Sequence, residues 1–434
     1  MSQPFSNPGV PFLASRAINL ACLVAAFAVT LLWFVVYAPL AGGGICDEPG
    51  HWGVIERLLA DWRDWPDSLP HPPGYHYVVI WLSAGSPTPM SARAVTSLFA
   101  LLGLVCFAAA WQLQHQRPPG PAVLLFALLP ILQPFTAMIY TDVPALALLL
   151  AAWWAQLGRR AWLAGLLLAA ACSVRQTSVI WGTFFLVHEA GRAWPAHGTW
   201  RERCAATARG VWLNGWGILL VLALVAGVVL VTGRLTPGTE HGNALAANPA
   251  NLYFGAVLVF FLGLPLWLRA GPDFFRGLAV SARTRPAASG LGLIAVSGVV
   301  IALSLGYRNP HVWNRELWWP DTSFTLLRNW PLVAADRIVG LRWVYSILVV
   351  LMAAGLVAVA REQRFRRELA LTALFGSVLL ATNGLVEPRY FITPVVFWLF
   401  FHEFDRRSLQ LLTGWFAVIC AVHAPFIART LSLW

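Results

Sequence analysis

The chain has 434 residues, of which 58% are apolar and 11% charged, against about 25% charged in ordinary soluble domains. That balance excludes a soluble globular enzyme, and the apolar content excludes intrinsic disorder. All thirty basic residues are arginine, set against nineteen carboxylates for a formal charge of +11; in a membrane chain such an excess sets orientation and meets lipid headgroups, so nucleic acid is not an expected partner.

Apolar stretches fall at 17–40, 94–115, 121–139, 143–158, 161–172, 175–190, 210–232, 251–270, 288–306, 342–360, 368–384, 388–403 and 409–430. Most approach the length that crosses a bilayer. The expected fold is all-α: an integral membrane protein with a polytopic bundle of about thirteen helices, forming one transmembrane domain over 1–434. The first stretch is too long for the core of a cleavable signal and reads as a retained span. Two polar gaps are long, 41–93 and 307–341, and no internal repeat interrupts the series. The six cysteines, Cys22, Cys46, Cys106, Cys172, Cys204 and Cys420, form no CxxC and no metal-ligand spacing. Nothing local requires a Cys46–Cys172 disulfide.

Threading the stretches alternately puts eighteen of the thirty arginines on one side, including Arg159-Arg160, Arg361 to Arg367 and Arg406-Arg407. That side is expected to be cytoplasmic. The unusual polar segments then gather on the other side: Cys46 to His51, His71 to Tyr75, Tyr140-Thr141-Asp142, Ser173 to Thr177, Gly238 to His241, Asn314-Arg315-Glu316 and Glu387 to Tyr390. Any chemistry is therefore expected on the exoplasmic face.

In the first exoplasmic loop, Asp47-Glu48 precedes Pro49, which suits the first turn of a helix. Trp52, Ile55, Leu58, Leu59 and Trp62 then share one face, with Glu56, Arg57 and Asp61 opposite. This pattern predicts an amphipathic helix at the membrane surface. It would hold Asp47 at headgroup depth as a general base, or Asp47 would simply cap the helix. Arg175 and Arg389 are each expected to open a helix from the exoplasmic side, a place where a phosphate is well held. The plainer alternative is a snorkelling side chain or an ion pair, for Arg389 with Glu387. Thr141 or Asp142 is expected to cap the next helix, with a substrate role as the second reading. His71-Pro72-Pro73-Gly74-Tyr75 reads as a rigid turn. His51, His71, His76, His241 and His311 show no paired spacing, so no metal or other cofactor is expected.

A carboxylate able to take a proton from an alcohol, together with cationic groups able to stabilise a phosphate, suits group transfer from a lipid phosphate. At these same residues the sequence resembles the DIE2/ALG10 alpha-1,2-glucosyltransferases. The likeness is carried by Asp47-Glu48 with His51, Pro72-Pro73-Gly74, Tyr140-Thr141-Asp142, Arg175-Gln176-Thr177 with Trp181, Gly233 through His241 to Tyr253, and Glu387-Pro388-Arg389-Tyr390-Phe391. The family's central Asp-Lys is absent, and its Asp-Asn-Arg-His-Tyr segment has only an echo in Trp313 to Trp318. That departure bears on donor and acceptor recognition.

The resemblance implies a GT-C fold and an inverting single displacement without an obligatory metal. The donor would be a polyprenyl-phosphate hexose, glucose first, and the acceptor an exoplasmic, lipid-linked glycan. By the same resemblance Asp47 is the base with Glu48 beside it, Arg175 and Arg389 bind the donor phosphate, and His51, Asp142, Gln176, His241 and Tyr390 line the pocket. The lysine-free, Arg/Ala/Leu-rich composition points to a bacterial inner membrane with a periplasmic site; a eukaryotic chain would place it in the lumen of the endoplasmic reticulum. Alternatives are a GT-C transferase using mannose or arabinose donors, a lipid-linked sugar flippase, or a membrane scaffold.

Overall fold

A computed structural model of the chain describes residues 16–37, 39, 47–64, 71–233, 248–309, 330–381 and 383–430. These residues are helical with turns, and no strand occurs among them. The chain divides into two compact units. The first comprises Met1–Leu40, Gly50–Trp65 and His71–Leu235; the second comprises Ala41–Pro49, Pro66–Pro70 and Thr236–Trp434.

The first unit is built from α1 (Arg16–Tyr37), most of α2 (Glu48–Ala60), α3 (Gly74–Leu82), α4 (Pro89–His115), α5 (Gly120–Ala127), α6 (Asp142–Leu157), α7 (Ala161–Val174), α8 (Ser178–Ala193) and α9 (Trp200–Thr232). Helix α6 lies at its centre, buried on nearly every face, and packs on α4 and α7. Lipid is as apolar as leucine, so such helices associate through close packing and small residues. Gly165 of α7 and Gly217 of α9 provide that closeness, each backbone resting on the other helix. Thr88 and Ser91 close a capping box at the start of α4, and Thr199 with Glu202 does the same for α9.

The expected span 121–139 is interrupted. Helix α5 stops at Ala127, and a buried 3-10 turn follows at Gln133–Ala137. Pro130 and Pro134 remove the donors a continuous helix needs, and the Gln133 amide donates to the freed Ala127 carbonyl at 3.2 Å. Helix α2 also differs from expectation. It is amphipathic, but Ile55 and Leu58 are buried, and Ile55 packs with Tyr75, Val79, Ala92 and Val95 in a protein core. Only Leu59 and Trp62 of its predicted apolar face stay exposed.

The second unit holds α10 (Ala250–Leu262), α11 (Leu264–Thr284), α12 (Pro286–Leu305), α13 (Trp330–Arg337), α14 (Val339–Glu362), α15 (Arg366–Ala381), α16 (Ile392–Phe401) and α17 (Arg406–Thr430). The expected span 251–270 is bent by 90° between α10 and α11, where Gly263 precedes a proline at the second position of α11. One end of this unit joins the start of α10 to the turn after α15: Asn251 donates to the Leu380 and Asn383 carbonyls at 2.9 Å each. The other end joins α11, the α14–α15 connection and the start of α17, through Arg269 to Asp405 and the Glu403 amide to Gln363.

Among the described residues six helices are long and apolar enough to cross a membrane, or seven if α10 and α11 form one broken span. The chain is an integral membrane protein. The stretches read at 143–158, 161–172 and 388–403 form helices of 16, 14 and 10 residues, shorter than the ~20 residues that cross a bilayer unaided.

Candidate active site

In the second unit, Glu387 ends an extended segment, and Pro388–Phe391 makes a single 3-10 turn before α16. The turn is fixed from behind. Phe391 packs on Phe254 and against Gly255, while Asn248 and Asn251 hold the preceding backbone. Arg389 is thereby aimed at two carboxylates. Its Nε faces Glu387 Oε2 in a buried ion pair, and its Nη2 lies 2.9 Å from Asp47 Oδ2. The Arg389 side chain is 7% exposed and that of Asp47 is 43% exposed. A guanidinium taken out of water is stable only with such partners. Asp47 is the member of the trio that an incoming group can reach. Glu48, next to it, is buried as the first residue of α2. Tyr390 lies with its ring 5.4 Å from the Arg389 guanidinium carbon.

Arg389 thus makes the ion pair that the plainer sequence reading allowed, and adds Asp47 to it. It stands in a 3-10 turn rather than at the mouth of a regular helix.

In the first unit, Arg175 closes α7 with extended backbone and lies three residues before α8. It therefore does not open a helix. Its Nη1 is 2.5 Å from Asp142 Oδ1 and 3.5 Å from the Thr141 hydroxyl. Thr141 makes no side-chain cap at α6; Asp142, the first residue of that helix, faces Arg175 instead, which corrects the capping expectation. Asp142 Oδ2 is buried and meets no hydrogen-bond donor among the described residues. Gln176 is buried beside Arg175 in sequence.

The histidines of the first loop, which showed no spacing pattern, come together in space. His51 Nδ1 is 3.1 Å from His76 Nε2, the His51 and His71 rings stack at 6.2 Å, and Tyr140 lies 5.4 Å from His51. Burial first, then the neighbouring His51 ring, hold the His76 imidazole well below its ordinary pKa, with a Pro73 carbonyl working in the other direction. Among the described residues no cluster has the arrangement of a metal site. His241 and Asn314-Arg315-Glu316 lie outside the described residues.

Two features carried no sequence signal: in the second unit the asparagine pair behind the Arg389 turn, and in the first unit the histidine stack. The glycine of Pro72-Pro73-Gly74 did carry one. A side chain there would meet the Ser173 carbonyl at 2.5 Å, so α3 can start only with glycine against the end of α7.

Residues 46–202 match the DIE2/ALG10 family. The matched stretch carries Asp47-Glu48, His51, Pro72-Pro73-Gly74, Tyr140-Thr141-Asp142 and Arg175-Gln176-Thr177, so the resemblance to DIE2/ALG10 proteins holds there. Glu387 to Phe391 lies beyond it. No curated protein matches the chain significantly. Among solved structures, ArnT from Cupriavidus metallidurans in the apo state superposes with a TM-score of 0.37 at 15% identity, over 93% of this chain and 78% of that one.

Proposed function

We propose that the protein is a membrane glycosyltransferase of the GT-C type that moves a hexose, glucose first, from a polyprenyl phosphate to an exoplasmic, lipid-linked glycan. The observation that carries this reading is the part-exposed Asp47 carboxylate held by the buried Arg389 guanidinium. The DIE2/ALG10 match over the segment containing Asp47 supports it.

In this reading Arg389 has two alternative anions. Without substrate it pairs with Asp47. When a donor phosphate enters, the guanidinium turns its Nη2 toward the phosphate, and Glu387 keeps the other edge in place. Asp47 then gives up its bond to Arg389 and accepts a proton. The acceptor oxygen forms a bond to the anomeric carbon as the carbon–oxygen bond to phosphate breaks. The electron pair leaves on the phosphate, and the hydroxyl proton passes to Asp47. The departing phosphate is a stable anion, so neutralising its charge is the main task and no general acid is needed. In the first unit Arg175, paired with Asp142, is a phosphate candidate in its own right, and Asp142 a substrate candidate. His51, Gln176, His241 and Tyr390 are pocket candidates, and Glu48 supports Asp47.

The test is purified protein in nanodiscs with membrane lipid extract as acceptor source, given polyprenyl-phosphate glucose, mannose and arabinose in parallel. Consumption of the glucose donor with formation of a glycosylated lipid is expected. Preference for another sugar would move the protein to a different GT-C specificity. Movement of intact donor across vesicles with no donor consumed would replace the enzyme by a flippase.

A further inference from the structure

We infer that α11 is an in-plane helix bound to the acidic headgroups of the membrane surface. A helix of 21 residues usually either crosses a bilayer or is covered by protein, and α11 is not covered by protein. It leaves α10 at 90°, and none of its residues is buried. Leu268, Phe275 and Leu278 on one face are 71%, 61% and 52% exposed. Arg269, Arg276 and Arg283 recur every seven residues along the adjoining edge, with Arg285 closing the helix.

Arg276 and its ion-pair partner Asp273, near the middle of the helix, argue against a span, because both would lie in the hydrocarbon interior. The exposed leucines and phenylalanine exclude an aqueous setting. A helix with one apolar face and an arginine edge lies at the boundary between acyl chains and headgroups, and guanidinium groups pair with phosphodiesters at that level. The start of α11 is pinned at the same level. Trp267 packs on Phe260 and against Gly355, and Arg269 joins Asp405 and Ser408 at the start of α17.

The arrangement also fixes depth. Helix α10 has 13 residues and is about 20 Å long at 1.5 Å per residue, while the hydrocarbon core is about 30 Å thick. With α11 in one interface, the far end of α10, where Asn251 holds the turn after α15 and Phe254 packs on Phe391 of the Arg389 turn, stops short of the opposite boundary. A lipid-borne phosphate would then meet Arg389 below the surface rather than above it.

The experiment uses the full chain in nanodiscs of phosphatidylglycerol and phosphatidylcholine. Nitroxides are attached at Leu268→Cys, Phe275→Cys, Leu278→Cys and Ala282→Cys, with the native cysteines replaced, and collision with oxygen and with a water-soluble nickel chelate is measured. Equal, shallow burial at all four positions is expected. Depth that changes steadily from 268 to 282 would make α11 a span and overturn the inference, as would full access to the chelate. Protection from both reagents that grows with the number of chains per disc would assign the face to a second copy.

A second measurement keeps the native cysteines. Arg276→Gln, Arg283→Gln and Arg285→Gln are combined, and retained lipids are counted by native mass spectrometry. Preference for phosphatidylglycerol should fall by up to about fivefold per arginine removed; an unchanged preference would overturn headgroup recognition.

Discussion

Asp47 and Arg389 meet at 2.9 Å, one just before α2 and the other just before α16. The second carboxylate on Arg389 is Glu387, whose side chain is 4% exposed. Removing the arginine breaks the buried ion pair with Glu387, a change that costs about 3–5 kcal/mol when one partner of such a pair is lost. Arg389→Ala should therefore lower the midpoint of thermal unfolding markedly. Arg389→Ala combined with Glu387→Gln should recover much of that loss and still use donor poorly. Equal stability of Arg389→Ala and the unaltered protein would show that the buried ion pair does not form.

Arg175 and Asp142 allow a double-substitution cycle. Both are largely buried, and their closest atoms are 2.5 Å apart. Arg175→Gln and Asp142→Asn should each destabilise the protein. The pair together should cost less than the sum, with a coupling of about 1–3 kcal/mol in denaturant unfolding. Additive effects would mean the two side chains act independently.

Gly74 can be tested against Gly53. A methyl at Gly74 would collide with the backbone of Ser173, while nothing lies within 4 Å of one added at Gly53. Gly74→Ala should cost about 1–3 kcal/mol through forced separation of α3 and α7. Gly53→Ala, inside α2, should be neutral or gain up to about 1 kcal/mol from helix propensity. Urea unfolding of the two variants side by side checks both directions.

These comparisons also show what the sequence discloses. Motifs whose members are neighbours in the chain, such as Glu387 with Arg389, name side chains that meet in the structure, because their geometry is local. Their partners were less legible. Asp142 was expected to cap α6, and only packing of α7 beside it turns the carboxylate to Arg175. No spacing links the histidines in the chain; α2 and α3 bring His51, His71 and His76 together in space. Helix lengths were overestimated where an apolar run continues through a break, as at Pro130 and Gly263, because hydropathy does not register a change of direction.

The His51–His76 contact predicts a pH dependence. One ring must donate and the other accept, so the pair tolerates at most one extra proton. The His76 imidazole is depressed in the folded protein. The unfolded chain therefore binds more protons below its ordinary pKa of about 6.5, and stability rises with pH through that window. Stability from this group is complete above about pH 6.5 and declines as pH falls toward the folded value. Thermal unfolding from pH 7.5 to pH 5 should show a loss in the unaltered protein that is smaller in His76→Gln. Identical profiles would remove His76 as the cause.

The most direct test of the account is Asp47→Asn, which keeps the shape of the side chain and removes its charge. Glycosyl transfer from the polyprenyl-phosphate sugar is measured alongside binding of that donor and thermal unfolding. The account predicts a fall in turnover of about 10²–10⁴-fold, the usual contribution of a positioned base, with folding kept and donor binding retained or strengthened as Arg389 is released. Transfer at the unaltered rate would contradict it.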